Sequence, residues 1–315
     1  MANGGVIERT WQEACVRFGE LESFISISNK SAPAGQLSYS RELYSSWILM
    51  AYAAHESAIK SYGQAAMKVL ARVAPTPDQL PEAMAEAHQK RTLQLANEIA
   101  SKNANRGDQR VDLGTHFRTA YTREWAITSV LMRLDRNAWA NNIRELLKRV
   151  EVEDSAFSWL REPWEHGSET LESRVDALVR ERNLIAHGDR PDSLLSEDVM
   201  RDWIAEVKEF SRRVKCILQA RLATSFAALL DEELGDLDPF GPKMAVETVA
   251  LILTHRDLAV SDHVLLLHED GRIAAAYIKS IQSAGTARER VSKGSARIAV
   301  TLNTAAAGCR LYAPA

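Results

Sequence analysis

The sequence predicts an α+β multidomain protein, in which an all-α helical bundle over residues 1–232 precedes a small all-β barrel over residues 244–315. Three observations predict this architecture. Apolar residues recur at helical spacing from about residue 40 to about residue 230. A stretch rich in Pro and Gly at 233–243 then interrupts that pattern. Beyond it, short aliphatic and β-branched runs alternate with turn residues, which is typical of strands.

Length and composition suit two globular domains in a reducing compartment. The 315 residues are 46% apolar and 26% charged, which argues against general disorder. Three widely spaced cysteines, Cys15, Cys216 and Cys309, favour neither a disulfide framework nor a metal cluster. The N-terminal segment lacks the pattern of a secretory signal, and no run approaches the roughly 18 uncharged apolar residues of a spanning helix. We therefore expect a cytoplasmic protein without membrane association.

The helices are delimited by prolines, glycines and polar stretches. The first begins near residue 40 and ends at the Ala-Pro-Thr-Pro of 74–77, because proline cannot continue the helical hydrogen bonds. Its predicted apolar stripe consists of Leu43, Trp47, Met50, Ala54, Ile59 and Tyr62. Further helices are predicted over 79–103, 117–134, 138–150, 171–187 and 196–230. An irregular connection with aromatic anchors is expected over 151–170.

The strands of the predicted barrel are short and end at turn residues. The runs are TVALILTH, HVLLLH, IAAAYIKSIQ, RIAVTLN and CRLYAP. Glu-Asp-Gly at 269–271 lies between two of them and predicts a hairpin. The barrel therefore occupies about 70 residues at the end of the chain.

One predicted helix, within LESRVDALVRERNLIAHGDRP at 171–191, carries polar residues that its amphipathic pattern does not explain. Arg182 falls on the same stripe as Val175, Leu178, Val179 and Ala186, where a cation is costly unless it has a partner or a task. Asn183 and His187 are four residues apart and share an adjacent face. Gly188 suits a helix C-terminal cap, and Pro191 blocks continuation. His187 is thus expected in the last turn, where the helix dipole favours its protonated form.

Spacing alone does not single this element out. Five Arg/His pairs in the chain have four to six residues between them, but only the 180–187 segment has unbroken helical character, Asn after Arg, and a glycine after His. An Arg and a His near a helix end can also serve as carbonyl caps or a structural ion pair, and that alternative stays open.

These motifs resemble those of the HEPN superfamily. RNLIAHG at 182–188 is similar to its Arg-Asn-x-x-x-His element. YAAHESAIKSYGQAA at 52–66 resembles the Tyr-Ala-x-x-Glu-x-x-x-Lys helix of the MAE-type and RiboL-PSP-type bacterial branch, with Glu56 and Lys60 at the matching positions. The resemblance covers roughly 35–225. The supporting polar pair Glu56 and Lys60 is expected near the Arg/His site, although an ordinary ion pair within a helix is the alternative.

The resemblance implies a metal-independent endoribonuclease that acts by 2′-OH attack and needs no cofactor, with Arg182 and His187 catalytic and Asn183 assisting. It further implies a homodimer and a role as a toxin or phage-defence effector, with an antitoxin or defence-system partner protein. RNA brings its own nucleophile, imidazole transfers protons near neutral pH, and guanidinium stabilises phosphate charge. The alternative is a non-catalytic HEPN protein that binds RNA, a nucleotide or a partner protein.

The barrel region resembles domain II of translational GTPases, through its Ile-Lys-Ser-Ile-Gln strand, its Val-Ser-Lys-Gly-Ser turn and Gly308. It departs from that pattern at Ser261, where such barrels often have Gly. Net charge is −3 over the whole chain, so an RNA-binding surface has to be a local basic patch. The residues expected to form it are Arg272, Lys279, Arg288, Arg290, Lys293 and Arg297. A solvated barrel surface and a ribosome-associated factor are the alternatives.

Other polar groups are expected to be structural. Asp135, Arg136, Asn141 and Asn142 lie between predicted helices and suit capping or turns. Core or interface packing is expected for His55.

Overall fold

The computed structural model describes residues 5–31, 37–74, 79–101, 130–134, 136–164, 169–189, 194–226, 229–238 and 245–314. A helical region is followed by an antiparallel sheet that forms a nearly closed barrel, so the predicted fold class is confirmed. The chain divides into two compact units, residues 9–215 and residues 1–8 with 216–315. The division falls inside the last helix, and the boundary expected between 232 and 244 stays a prediction.

Seven α-helices and one short 3₁₀ helix occur among the described residues. The α-helices are α1 Val6–Ser31, α2 Leu37–Val73, α3 Glu82–Ser101, α4 Ala140–Lys148, α5 Ser158–Arg161, α6 Leu171–Ala186 and α7 Glu197–Ser225. The 3₁₀ helix Asp154–Phe157 precedes α5, within the connection that was expected to be irregular. No helix in the described ranges is long and apolar enough to cross a membrane.

Helix α1 lies outside the helical range predicted from the sequence. Its buried residues recur at intervals of three, four and seven, which is the spacing of one helix face. They are Ile7, Ala14, Phe18, Leu21 and Ile25. The signal was therefore present in the N-terminal segment, as a helical period with polar residues between.

The buried face of α2 contains most of the predicted stripe. Trp47, Ala54, Ile59 and Tyr62 are buried as expected and Leu43 is partly buried, but Met50 is 42% exposed. Tyr44, Ile48, Ala51 and His55 are buried as well, so the buried face is wider than the predicted stripe. Fully buried His55 agrees with the core packing expected for it.

The helix predicted over 117–134 is not supported where it can be judged. Residues 117–129 lie outside the described part of the chain, and 130–134 form a turn followed by two residues without regular secondary structure. Val130, Leu131 and Met132 are nevertheless buried, so the apolar pattern reflects core packing and not a helix face. Arg149 Nη1 donates hydrogen bonds to the carbonyl oxygens of Leu131 and Arg133, at 3.2 and 2.9 Å. These bonds satisfy backbone groups that a helix would have paired.

The C-terminal unit contains an antiparallel sheet. Its described strands are β1 Leu230–Glu233, β2 Gly235–Leu237, β3 Thr248–Thr254, β4 Leu258–Ala259, β5 His263–Leu267, β6 Ile273–Ser283, β7 Thr286–Arg288, β8 Arg290–Val291, β9 Ala296–Leu302 and β10 Arg310–Pro314. The larger sheet has the order β1-β10-β5-β6-β9-β3-β2, and β7 pairs with β6. β6 pairs with β5 at its start and with β9 and β7 further on, across a register shift after Ile278. This shared strand joins the two halves of the barrel.

Two turn residues of the barrel have positive φ angles. The hairpin expected at 269–271 joins β5 and β6, and Gly271 has φ +82° there. Ser261 has φ +72°, in the left-handed region that glycine adopts without strain. The departure from glycine at this position therefore puts a serine in a costly backbone conformation.

Candidate functional site

Both ends of α6 are capped, which fixes the position of His187. At the N-terminus the Thr170 side chain accepts a hydrogen bond from the Ser173 N–H at 3.2 Å. At the C-terminus the N–H of Gly188, with φ +92°, donates to the Ile185 carbonyl at 3.0 Å, and Asp189 N–H closes the next bond of a Schellman motif. His187 is the C-cap residue, directly after the last helical residue, and its side chain is exposed.

Arg182, which lies on the apolar stripe of α6, contacts an aromatic ring and an amide oxygen. Its guanidinium carbon lies 4.8 Å from the centroid of the Tyr52 ring, at a distance typical of a cation–π contact. Its Nη1 also donates to Asn183 Oδ1 at 3.0 Å. The half-buried cation is thus held between α2 and its own neighbour, through an aromatic face and an amide oxygen.

Asn183 is bound a second time, from the loop before α4. Asn137 Nδ2 donates to the same Asn183 Oδ1 at 3.1 Å. Both donors are N–H groups, so the atom that faces them has to be the amide oxygen, and the amide nitrogen of Asn183 points elsewhere. The backbone carbonyl of Asn137 in turn accepts from Asn142 Nδ2 at 2.8 Å.

Helix α6 itself fixes the start of α4. The Ala140 N–H donates to Asp176 Oδ1 at 2.9 Å, so a carboxylate of α6 satisfies a donor at the N-terminus of α4. Trp139, the N-cap residue of α4, makes no side-chain cap hydrogen bond, which explains why this help comes from another helix. The loop that carries Asn137 is therefore tied to the same helix that carries Asn183.

Tyr52 connects Arg182 to the polar pair on α2. Its hydroxyl donates to Glu56 Oε1 at 3.2 Å and accepts from the Ala138 N–H at 3.3 Å. Burial raises the pKa of Tyr52, with a further rise from Glu56, so the phenol keeps its proton and its donor role. Glu56 also pairs with Lys60 at 3.2 Å, in a half-exposed ion pair within the helix.

His55 anchors the same loop from the interior. Its Nε2 lies 3.2 Å from the Ala138 carbonyl oxygen, and its Nδ1 lies 3.2 Å from Ser211 Oγ. A carbonyl only accepts, so Nε2 carries the proton and Nδ1 accepts from the serine hydroxyl. Burial lowers the pKa of His55 to about 4, which keeps the ring neutral.

An open groove borders this loop. Its described lining residues are Arg136, Asn137, Trp139 and Asn142, and its volume is about 500 Å³. Arg136 and Asn142 were expected to be capping or turn residues, whereas Asn142 lies in the first turn of α4 and binds back to Asn137. Asp135 lies outside the described residues. No sequence signal singled out Asn137, because its partner on α6 is 46 positions away.

The predicted RNA-binding residues of the barrel differ in their surroundings. Lys279, Arg288 and Arg297 are exposed on β6, β7 and β9, which are adjacent strands. Arg272 is partly neutralised, because its Nε lies 3.8 Å from Asp270 Oδ2. Arg290 lies close enough to Asp262 for its charge to oppose the rise that burial causes in the pKa of that carboxyl. The backbone N–H of Lys293 donates to Asp257 Oδ1 at 2.8 Å, and its side chain is exposed.

Comparison with known proteins gives one match. The model of the family described as RiboL-PSP-HEPN matches residues 16–220. Neither the curated proteins nor the solved structures yield a match. The matched range contains α2, the loop before α4 and α6, that is, every element that carries the contacts of Arg182 and Asn183.

Proposed function

Since the chain belongs to the RiboL-PSP-HEPN family, which indicates an RNase-like or RNA-related function, we propose that it is a metal-independent endoribonuclease. The observation that carries the proposal is the way Arg182 is held. Its guanidinium is positioned by the Tyr52 ring and by Asn183, beside a capped helix end that exposes His187. A cation fixed in this way is preorganised to stabilise charge that develops on a phosphate.

The reaction begins with the RNA's own 2′-OH. The 2′ oxygen attacks the adjacent phosphorus, the bond from phosphorus to the 5′ oxygen breaks, and the products carry a 2′,3′-cyclic phosphate and a 5′-OH. His187 takes the proton from the 2′-OH or gives one to the leaving 5′ oxygen, and water exchanges the other proton. Arg182 binds the phosphate oxygens with donors other than the one bound to Asn183, because a guanidinium has several N–H groups. Asn183 holds Arg182 in place and the Glu56–Lys60 pair supports Tyr52.

The site is completed by a second copy of the chain. Arg182 and His187 are five positions apart, about 140° around a helix, so one copy presents them to different sides. In a homodimer, Arg182 of one protomer and His187 of the other meet at one phosphate. Leu184, which lies between them on α6, is 46% exposed, as a residue at such an interface would be in a single chain.

Mixing two inactive variants tests this arrangement. Arg182→Ala and His187→Ala each inactivate the protein alone, whereas a refolded mixture regains about a quarter of wild-type cleavage, because half of the dimers carry one intact site of two. Full activity in either variant alone would contradict the site assignment. Inactive variants whose mixture stays inactive would place both residues of one site in one protomer.

The proposed biological role is that of a toxin or phage-defence effector with an antitoxin or defence-system partner protein. Basic residues of the barrel, above all Lys279, Arg288 and Arg297, would hold the RNA backbone. Expression in growing cells should arrest growth, and the arrest should disappear with Arg182→Ala. Equal growth arrest by wild type and Arg182→Ala would show that toxicity does not depend on cleavage at Arg182.

A second candidate is a non-catalytic HEPN protein that binds RNA, a nucleotide or a partner protein. The double hydrogen bond to Asn183 Oδ1 favours it, because such a network also serves to join α6 to the loop before α4. RNA binding that persists while no RNA is cut, under any of the conditions above, would favour this candidate over the nuclease.

A further inference from the structure

The groove beside α6 has the lining of a nucleotide site. Arg136, Asn137, Trp139 and Asn142 supply a guanidinium, two amides and an indole around about 500 Å³ of open space. Ligand sites combine a few placed polar groups with apolar or aromatic surface, and they start at roughly 300 Å³. The Asn137–Asn183 bond of 3.1 Å joins this groove directly to the proposed catalytic helix.

Further arginines lie near Arg136, the cation that lines this groove. Arg91 lies close enough to Arg133 and Arg136 for their charges, after the effect of burial, to lower its pKa. Arg149 is lowered to a pKa of about 10, first by burial and then by the Arg91 charge. Glu98 and Glu145 act in the opposite direction on Arg91 and Arg149 respectively. These neighbouring charges add positive potential close to Arg136, which favours an anionic ligand in the groove.

The indole of Trp139 is available as a stacking surface. Its side chain is half-buried, and the backbone on both sides of it is bonded: the Ala138 N–H to Tyr52 and the Ala140 N–H to Asp176. Aromatic rings fixed in this way are the usual platforms for unpaired bases. Asn142 donates Nδ2 to the Asn137 carbonyl, which fixes its Oδ1 as an acceptor for a base edge.

We propose that this groove binds one nucleotide of a single-stranded RNA, next to the phosphate held at Arg182. The base stacks on Trp139, the amides of Asn137 and Asn142 contact its edge, and Arg136 binds its phosphate. The inference rests on the proposed function, since it assigns the neighbouring phosphate to the catalytic helix. It adds a subsite that lies outside the Arg-Asn-x-x-x-His element and selects the residue beside the cleaved bond.

Fluorescence of a base analogue tests the subsite in the full-length protein. The probes are short 2′-fluoro RNA oligonucleotides, which lack the attacking 2′-OH, with 2-aminopurine at each position in turn. Wild type should quench one position strongly, because stacking on Trp139 quenches this base. Trp139→Phe should retain the quenching and Trp139→Leu should lose it. Arg136→Gln should weaken binding by about tenfold, as expected for lost phosphate contacts, whereas Lys148→Gln, at the other end of α4, should leave it unchanged.

The possible outcomes distinguish failure of the nucleotide groove from failure of the proposed nuclease function. Equal quenching in wild type and Trp139→Leu would refute the stacking site, and exposed Arg136 provides a second test if Trp139→Leu fails to fold. A nucleoside monophosphate that binds as tightly as the oligonucleotide would make the groove a mononucleotide pocket. Because the probe cannot be cleaved, quenching without any nuclease activity would retain the groove and refute the proposed function. Cleavage without Trp139-dependent quenching would refute the groove alone.

Discussion

Arg182 illustrates how one residue's surroundings set its role. The apolar stripe of α6 demands a partner for this cation, and the partner is a ring on α2 rather than a carboxylate. A carboxylate would neutralise the guanidinium, whereas a ring and an amide oxygen hold it while leaving its charge. Helical spacing predicted that Arg182 needs a partner, and the motif on α2 predicted the pair Glu56 and Lys60 near it, but Tyr52 was not predicted as that partner. The sequence could not predict Asn137, because an asparagine in a loop has no periodic pattern to mark it.

His55 makes the stability of the fold depend on pH. Its pKa is about 4 in the folded protein and about 6.5 in the unfolded chain, so the unfolded chain takes up the proton first as pH falls. Stability is therefore fully present above pH 6.5 and declines between pH 6.5 and 4, by about 3 kcal/mol in total. Urea unfolding across this range should show the slope in wild type and a smaller slope in His55→Gln, whose amide can still donate to Ala138. The same slope in both proteins would contradict this account of His55.

At the scale of elements, close packing of α2 depends on one glycine. A Cβ on Gly63 would lie 2.4 Å from the Met132 carbonyl oxygen, whereas a Cβ on Gly19 of α1 would meet nothing within 4 Å. Alanine is otherwise the better helix former, by about 1 kcal/mol. Met132 lies where a helix was predicted, and its backbone packs closely against Gly63 of α2.

A matched pair of substitutions tests this contact. Gly19→Ala should stabilise the protein by about 0.5–1 kcal/mol. Gly63→Ala should destabilise it by about 1–3 kcal/mol, because the backbone near Met132 has to move. Urea unfolding followed by circular dichroism measures both. Stabilisation by both alanines would mean that α2 and the 130–134 segment are not in close contact.

At the scale of the whole molecule, the two compact units contribute different chemistry. The helical unit holds the Arg182 network, and the barrel exposes Lys279, Arg288 and Arg297 on three adjacent strands. The fold class was predictable from the helical spacing of apolar residues and from the turn residues between strands, because both signals are local in the sequence. Helix α1 was predictable in principle from its buried spacing. The division between the units inside α7 could not be predicted, because the helical pattern of the sequence continues unchanged across it.

Salt dependence tests the proposed role of the barrel. Replacement of Lys279, Arg288 and Arg297 by glutamine should lower the slope of log affinity against log salt for single-stranded RNA by about 2. The matched control removes three exposed charges from α2 and α3, through Lys68→Gln, Arg72→Gln and Lys90→Gln, and should leave the slope near that of wild type. Equal slopes for the two triple variants would show that the barrel residues do not contact RNA.

In the proposed function, Arg182 and His187 cleave RNA without a metal ion. The most direct measurement is incubation of the purified protein with total RNA and with tRNA, in EDTA, beside Arg182→Ala and His187→Ala. Wild type should cut the RNA and leave 2′,3′-cyclic phosphate ends. Each variant should be slower by about 10²–10⁴-fold, because His187→Ala removes an acid–base group and Arg182→Ala removes the cation that stabilises the phosphate. Intact RNA in all three incubations, or equal cleavage by the three proteins, would contradict the claim.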